Sequence, residues 1–362
     1  MATIRRLDIL RVRNLSEVQI LPASTVNIIS GNNGSGKTSL LEAIYMLGLG
    51  RSFRSQKLEP VIATDSDDCV IFSELQDGIT IGLNKSRKKG HILKLLGERQ
   101  KSWVETARQL PMQIINSDSF LLLEGSPKIR RRFLDWGVFH VEQEFALAWR
   151  KASKCLVQRN LLLKQRKLDR MQLSAWDEEF VAQGELIDGY RQQYLQLFLP
   201  ILETALPRLI ELPGLSIQYE RGWDSSQSLK DSLAGSLDRD IKYGATQVGP
   251  HRADLSIKIG RHGASEVLSR GQQKLLVSAM KIAQSQLLFS LTQERGLYLI
   301  DDLPSELDAA NRVLICRLLE ELDCQIFITC VDSAELEKCW SADVSSGKFH
   351  VEHGKIVALG NS

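Results

Sequence analysis

The segment Gly31 to Thr38, GNNGSGKT, is a full match to GxxxxGK[ST] and constrains the chain more than any other feature. Its glycines let the backbone wrap a phosphate closely. Successive N–H groups then point inward at the mouth of the following helix, where the helix dipole also favours an anion. Gly31, Asn32, Asn33, Gly34, Ser35, Gly36, Lys37, Thr38 and Ser39 are therefore the expected nucleotide-binding residues. In such a loop the lysine reaches the β and γ phosphates and the hydroxyl after it ligates Mg²⁺, so ATP and Mg²⁺ are the expected cofactors. The flanks agree: a strand-like run, Thr25 to Ser30, leads in and a helix-like stretch, Lys37 to Leu49, leads out.

A P-loop needs a metal-holding carboxylate at the end of a neighbouring buried strand. LYLIDD, Leu297 to Asp302, supplies four apolar residues and then two acids. Asp301 takes the metal role with Thr38. Asp302 is placed to orient or deprotonate the attacking water, because successive strand residues face opposite ways. Lys37 and Asp302 are thus the expected catalytic pair.

LSRGQQK, Leu268 to Lys274, stands at a helix start. Ser269 in the cap position, with Arg270, Gly271 and Gln272 behind it, forms a second anion-binding helix N-terminus. One chain already has a site for its γ-phosphate. The second turn therefore suggests closure over a partner's nucleotide, hence an ATP-dependent homodimer.

The rest of the chain sets these motifs in one α/β domain built from both ends of the sequence. Strand signals run through Ile4 to Val12, Cys69 to Leu75, Ile79 to Leu83, His91 to Leu96 and Met112 to Asn116, and return at Leu215 to Glu220, Asp254 to Ile259 and Cys324 to Cys330. Between them helical periodicity takes over, giving a mainly helical lobe at 141–214 inserted in a head of 1–140 and 215–362. Two antiparallel helices are expected there, with Pro200 kinking the second. Hydrophobic residues are 43% and charged residues 25%, a globular composition with a sizeable core. The net charge of +2 leaves nucleic-acid affinity to local patches. No apolar run approaches the ~20 residues of a membrane span, and the start lacks an apolar leader, so a cytoplasmic protein with no membrane partner is expected. The six cysteines include no CxxC pair and are expected as reduced core thiols.

Together these motifs resemble the ABC-type ATPase heads, with SELD, Ser305 to Asp308, as the D-loop (Ser305 and Asp308). More narrowly the chain resembles the RecF family of recombination-repair proteins. LDILRVRN, LLEAIYMLGLGRSFRS (Leu40 to Ser55), GSPKIRRRFLD (Gly125 to Asp135), GPHRAD (Gly249 to Asp254) and LIDDLPSELD (Leu299 to Asp308) carry that resemblance in the family's order. It implies a P-loop ABC-type ATPase head, an ATP-driven dimeric clamp on duplex, gapped or single-stranded DNA, and a role in recombinational repair, replication-fork maintenance and SOS induction. It also implies recombination mediator proteins and the recombinase as partners. Five departures stand out. Asp302 replaces the usual Glu, which implies slow hydrolysis serving as a timer. FITCVD, Phe327 to Asp332, lacks the transporter switch His, leaving Thr329 or Asp332 to sense the γ-phosphate. The Q-loop role falls to Gln113 or Asn116. Ser117 and Ala253 replace a usual Pro and Asp. The alternative reading, an ATPase subunit of a membrane transporter, is disfavoured by the long stretch between Thr38 and Leu268 and by the missing His. An SMC-like coiled-coil arm is too long for 141–212.

Three basic groups are candidates for DNA. Lys85, Arg87, Lys88 and Lys89 crowd one strand–turn region, which is a phosphate-contacting tip or a solvated hairpin turn. Arg130, Arg131 and Arg132 brace acidic partners or meet DNA. The stretch Arg150 to Arg170 carries eight cations, at 150, 151, 154, 159, 164, 166, 167 and 170. No aromatic residue interleaves with these clusters, which favours backbone recognition over base stacking.

Overall fold

The structure, a computed structural model, describes residues 2–55, 57 and 60–359, the side chains of Ser305 and Glu306 excepted. Its strands follow as β1 (Ile4–Val12), β2 (Leu15–Ile20), β3 (Val26–Ser30), β4 (Asp68–Leu75), β5 (Thr80–Ser86), β6 (Gly90–Leu95), β7 (Glu98–Gln100) and β8 (Met112–Ile115). After a long interval come β9 (Leu215–Glu220), β10 (Asp254–Ile259), β11 (His262–Gly263), β12 (Leu297–Ile300), β13 (Gln325–Cys330), β14 (Ser346–Glu352) and β15 (Lys355–Leu359).

Sequence pattern decides which sheet each strand joins. VNIIS, LYLI and QIFITC are buried at every position, and these strands form the centre of a sheet ordered β15-β14-β3-β13-β12-β8. All but the edge strand β15 run parallel there, as expected of strands covered on both faces. DCVIFSEL instead alternates half-buried and buried residues. It joins the wholly antiparallel sheet β2-β1-β4-β5-β6-β7, one face of which meets the core. The helix Lys37–Leu49 packs with both in one cluster that includes Ile4, Leu7, Leu40, Ile44, Ile71 and Phe327. The buried Gln325 ties the sheets together: its amide donates to the carbonyls of Ile4 (2.9 Å) and Ala23 (2.8 Å) and accepts the Ile4 N–H at 2.8 Å.

These sheets make one compact unit, residues 1–119 with 274–362; residues 120–273 make the other. The second unit is wider than the 141–214 expected of the helical lobe, because charged side chains fasten that lobe to its flanks. Arg191 donates to Asp135 at 2.8 and 3.0 Å and to the Pro250 carbonyl at 2.8 Å, and Arg159 donates to Asp240 at 2.7 Å and Thr246 at 2.8 Å. The expected helix pair, Phe145–Leu163 and Arg170–Ala205, is present, and the second helix runs through Pro200 as a single element of 36 residues. A small sheet, β11-β10-β9, completes the unit.

Helix Arg270–Thr292 is apolar and long enough to cross a membrane, yet 67% of its most apolar window is buried as a core helix. The six cysteines are free and buried.

Candidate nucleotide-binding site

The carboxyl ends of β3, β12 and β13 converge at one edge of the parallel sheet, the place where α/β sheets bind ligands. From β3 the chain enters the P-loop, where Gly31, Gly34 and Gly36 have φ of 149°, 79° and 127°. A β-carbon on Gly31 would sit 2.3 Å from the Val351 carbonyl oxygen, and one on Gly36 would sit 2.9 Å from Leu15, so both strained turns need glycine. The helix Lys37–Leu49 follows directly and ends at Gly50 in the left-handed region (φ 69°), against the Trp103 ring.

Lys37 is buried, with its ammonium folded back onto the carbonyls of Gly31 (2.6 Å) and Asn32 (3.1 Å). Beside it the Ser35 hydroxyl is buried with no hydrogen-bond partner among the described residues, an orphaned polar atom inside a loop built for an anion. Thr38 donates from Oγ1 to Asp301 Oδ1 at 3.0 Å. The same carboxylate oxygen accepts from Thr329 Oγ1 at 2.8 Å, and the Thr329 oxygen accepts the Asp302 N–H at 2.8 Å. Burial pushes the Asp301 carboxyl above the ordinary carboxylate range, against the hydrogen bonds from Thr329 and Thr38 that favour its charge. A half-buried carboxylate beside a hydroxyl is a hard-oxygen pair suited to Mg²⁺. Asp302 sits at φ 55°, ψ 48°, a left-handed conformation that a residue with a β-carbon seldom takes. That turn carries the chain out of β12 with both acids on the wall of one cleft. The cleft measures about 1120 Å³ and is also lined by Asn33, Gly34, Gly36, Lys37, Thr38 and Ser39.

Several supports carried no signal as functional residues in the sequence. The Asn14 amide donates to the carbonyls of Gly34 (3.1 Å) and Ser35 (3.0 Å), and its oxygen accepts from Ser39 at 2.9 Å, so the β1–β2 turn clasps the P-loop. Arg13, at φ 55°, donates at 2.8 and 2.7 Å to both oxygens of Glu42, which is fully buried on the following helix. Gly354, in the β14–β15 turn, donates to the Ser35 carbonyl at 3.0 Å. The LDILRVRN and LLEAIYML segments hold Arg13, Asn14 and Glu42, so the motifs were visible while the bonds between them were not. SGKFHVE (β14) mixes Gly, Lys and His and offers no apolar run to mark a strand.

The structure separates the two switch candidates. Thr329 is buried between the two acids, whereas Asp332 caps the helix Ser333–Glu337 by accepting the Ala334 N–H at 2.9 Å. For the Q-loop, Gln113 is buried and donates to Gln284 at 3.0 Å; Asn116 is tied to Ser119, and Ser117 lines the cleft. The Ser305 side chain lies outside the described residues. Asp308 caps the helix Ala309–Glu320, accepting the Asn311 N–H at 2.9 Å, and that bond holds its carboxyl below the usual range.

The signature turn lies in the second unit. Ser269 N–H donates to Gln272 Oε1 at 2.9 Å and Gln272 N–H donates to Ser269 Oγ at 3.3 Å, a reciprocal capping box on an exposed helix start. Arg270 lies over the Phe120 ring and pairs with Glu124 at 2.5 Å. Gly271 is exposed, and a β-carbon there would meet nothing within 4 Å.

Of the basic groups, Arg87, Lys88 and Lys89 are brought together at the exposed β5–β6 turn, but Lys85 turns inward and donates to the Gly50 carbonyl at 2.6 Å. Burial lowers its pKa, with Cys69 and Glu42 opposing. Lys88 pairs with exposed Asp67 at 3.0 Å. Arg130 is bidentate to Asp254 (2.7 and 2.8 Å), so GSPKIRRRFLD and GPHRAD brace each other. Arg159 is buried among Asp177, Asp240 and Thr246; the other seven cations of 150–170 are exposed.

Comparison with known proteins agrees over nearly the full length. A family profile described as RecF/RecN/SMC N terminal domain matches residues 3–356. The chain is similar to the DNA replication and repair protein RecF of Stutzerimonas stutzeri (strain A1501), with 49% identity over 99% of this chain and 98% of the relative. It is likewise similar to RecF of Azotobacter vinelandii (49%, 97% of each). Among solved structures it is similar to the recombination mediator protein RecF with ATP in the RecFOR pathway, with TM-score 0.87, 26% identity, and 99% and 98% of the two chains covered. An Smc head bound to the C-winged helix domain of ScpA shares the fold (TM-score 0.59, 15% identity, 99% and 97% covered).

Proposed function

This chain belongs to the RecF family of DNA replication and repair proteins, and from that membership we propose that it is an ATP-gated clamp on DNA. The observation that carries the reading is the chain of contacts Thr38–Asp301–Thr329–Asp302 at the P-loop mouth, which joins the metal-holding pair to the second acid through one buried hydroxyl. The P-loop backbone and Lys37 would hold the triphosphate, and Thr38 and Asp301 would hold Mg²⁺. Mg²⁺, when bound, neutralises charge on the phosphates. Asp302 orients the attacking water, with its backbone fixed by Thr329. An Asp in place of a longer Glu supports slow hydrolysis used to time release from DNA.

Dimer formation is supported by the signature turn. Glycine in an exposed helix costs about 1 kcal/mol relative to alanine. None of the described residues crowds Gly271, so its lack of a side chain suits close approach by a group from outside: the nucleotide of a second copy. On the DNA side, Lys88 and Lys89 at the β5–β6 tip contact phosphates. Solved RecF proteins are described within the RecFOR pathway; for this chain we extend that to partnership with recombination mediators, recombinase loading at gaps and SOS induction.

Sedimentation with and without gapped duplex tests the reading. The chain should dimerise with ATP and Mg²⁺ and join the DNA as a dimer; nucleotide-independent sedimentation would refute it.

A further inference from the structure

Among the described residues lining the nucleotide cleft, Pro60 and Ile62 are the apolar ones; the other side chains are polar or charged, and the remainder is glycine. The P-loop end suits phosphate. If the cleft takes ATP, the 60–64 stretch, with Pro60 exposed and Ile62 behind it, offers the apolar contact that a base would use. It is irregular backbone whose carbonyls need partners. β1 supplies part of the support: Arg13 N–H donates to the Val61 carbonyl at 2.8 Å, and Ala63 N–H donates to that of Arg11 at 3.0 Å. Three further carbonyls converge on one side chain. Arg87 donates from Nε to Ser66 at 3.0 Å and from Nη2 to Ile62 at 3.1 Å and Ala63 at 3.3 Å, while its own N–H reaches the Asp67 carbonyl at 2.9 Å. A planar guanidinium with five donors in a fixed fork serves such a set; an ammonium is a single point charge.

We infer that Arg87 is a positioning residue of the ATP site, holding the 60–66 segment as the wall on which the base lies. The inference rests on the reading that this cleft takes ATP. Arg87 acts through the wall, so its loss weakens ligands that carry a base and spares those that are phosphate alone. It also removes Arg87 from the set of side chains free to contact DNA.

The test compares ATP with inorganic tripolyphosphate, both in Mg²⁺, by calorimetry on the full chain. Arg87→Ala should weaken ATP about tenfold, as expected for loss of several hydrogen bonds, and leave tripolyphosphate within about twofold. Arg87→Lys should fall between. Pro60→Gly alters the wall at an exposed position without touching Arg87 and should reproduce the selective loss to a smaller degree, which guards against a folding defect in Arg87→Ala. Wild-type ATP affinity in Arg87→Ala, or equal loss of both ligands, overturns the inference. Failure of the wild type to bind either ligand would instead overturn the ATP reading beneath it.

Discussion

In the unit of residues 120–273 charges close on one another, as Arg13 and Glu42 do behind the P-loop, whereas at the P-loop mouth Lys37 and Asp301 line a cleft. Arg159 reaches Asp177 at 2.6 Å and Asp240 at 2.7 Å, Arg191 is bidentate to Asp135, and Arg130 to Asp254. Those sets fix geometry between distant segments and ask for no ligand. At the P-loop mouth, by contrast, Lys37 donates to the carbonyls of Gly31 and Asn32, Ser35 Oγ has no partner among the described residues, and burial keeps the Asp301 carboxyl above its ordinary range. The first arrangement pairs its charges as folded, although Arg159 Nη2 is itself left buried without a partner among the described residues. The second faces an open cleft, so it is the one that should respond to nucleotide.

That contrast predicts which measurement each substitution moves. Asp135→Ala leaves Arg191 buried without its carboxylate and should cost about 3–5 kcal/mol of stability in urea unfolding; a loss below about 1 kcal/mol would show that the network is not structural. Lys37→Ala should do the reverse, weakening ATP about a hundredfold in calorimetry while moving unfolding by less than about 1 kcal/mol.

His251 and Asp301, one in each unit, should differ in the sign of their contribution to pH response. Burial lowers the His251 pKa from 6.5 to about 4, with Nε2–H donating to the Thr246 carbonyl at 3.1 Å and a buried Nδ1 that has no partner among the described residues. The unfolded chain therefore takes up that proton first, and stability should fall by about 1–3 kcal/mol as pH drops from 6.5 toward 4. His251→Gln should flatten the fall. Asp301, with its pKa raised, contributes oppositely: its stabilisation is present at low pH and fades as pH rises through its folded value. A His251→Gln profile that matches the wild type would break the comparison. The smallest effect belongs to the β5–β6 tip. Replacing Lys88 and Lys89 by Ala should weaken all DNA sequences alike and flatten the salt dependence by up to about 0.9 per lost phosphate contact. An unchanged slope would move the contact to the exposed cations of 150–170.

Much of the candidate site's geometry was legible because its parts are contiguous. GNNGSGKT and LYLIDD each encode strand, turn and chemistry in one run, and the structure sets their ends 3.0 Å apart through Thr38 and Asp301. What escaped were bonds between segments far apart in the chain. Asn14, Glu42 and Gly354 act through partners that no local pattern specifies. The β5–β6 cations were legible as a cluster, yet alternation and burial turn Lys85 inward and backbone carbonyls hold Arg87. The lobe boundaries escaped for a like reason: Arg191 and Arg159 fasten neighbours whose own pattern is that of strand and loop.

The central claim is that ATP completes a site shared by two copies of the chain. Its most direct test is sedimentation of Ser269→Arg with ATP and Mg²⁺, beside calorimetry of ATP binding. Ser269 is exposed and caps its helix, so the substitution should cost only about 1 kcal/mol of stability. The account predicts a wild type that dimerises with ATP and a variant that binds ATP near normally yet stays monomeric. A variant that dimerises like the wild type, or one that loses ATP binding in equal measure, would contradict it.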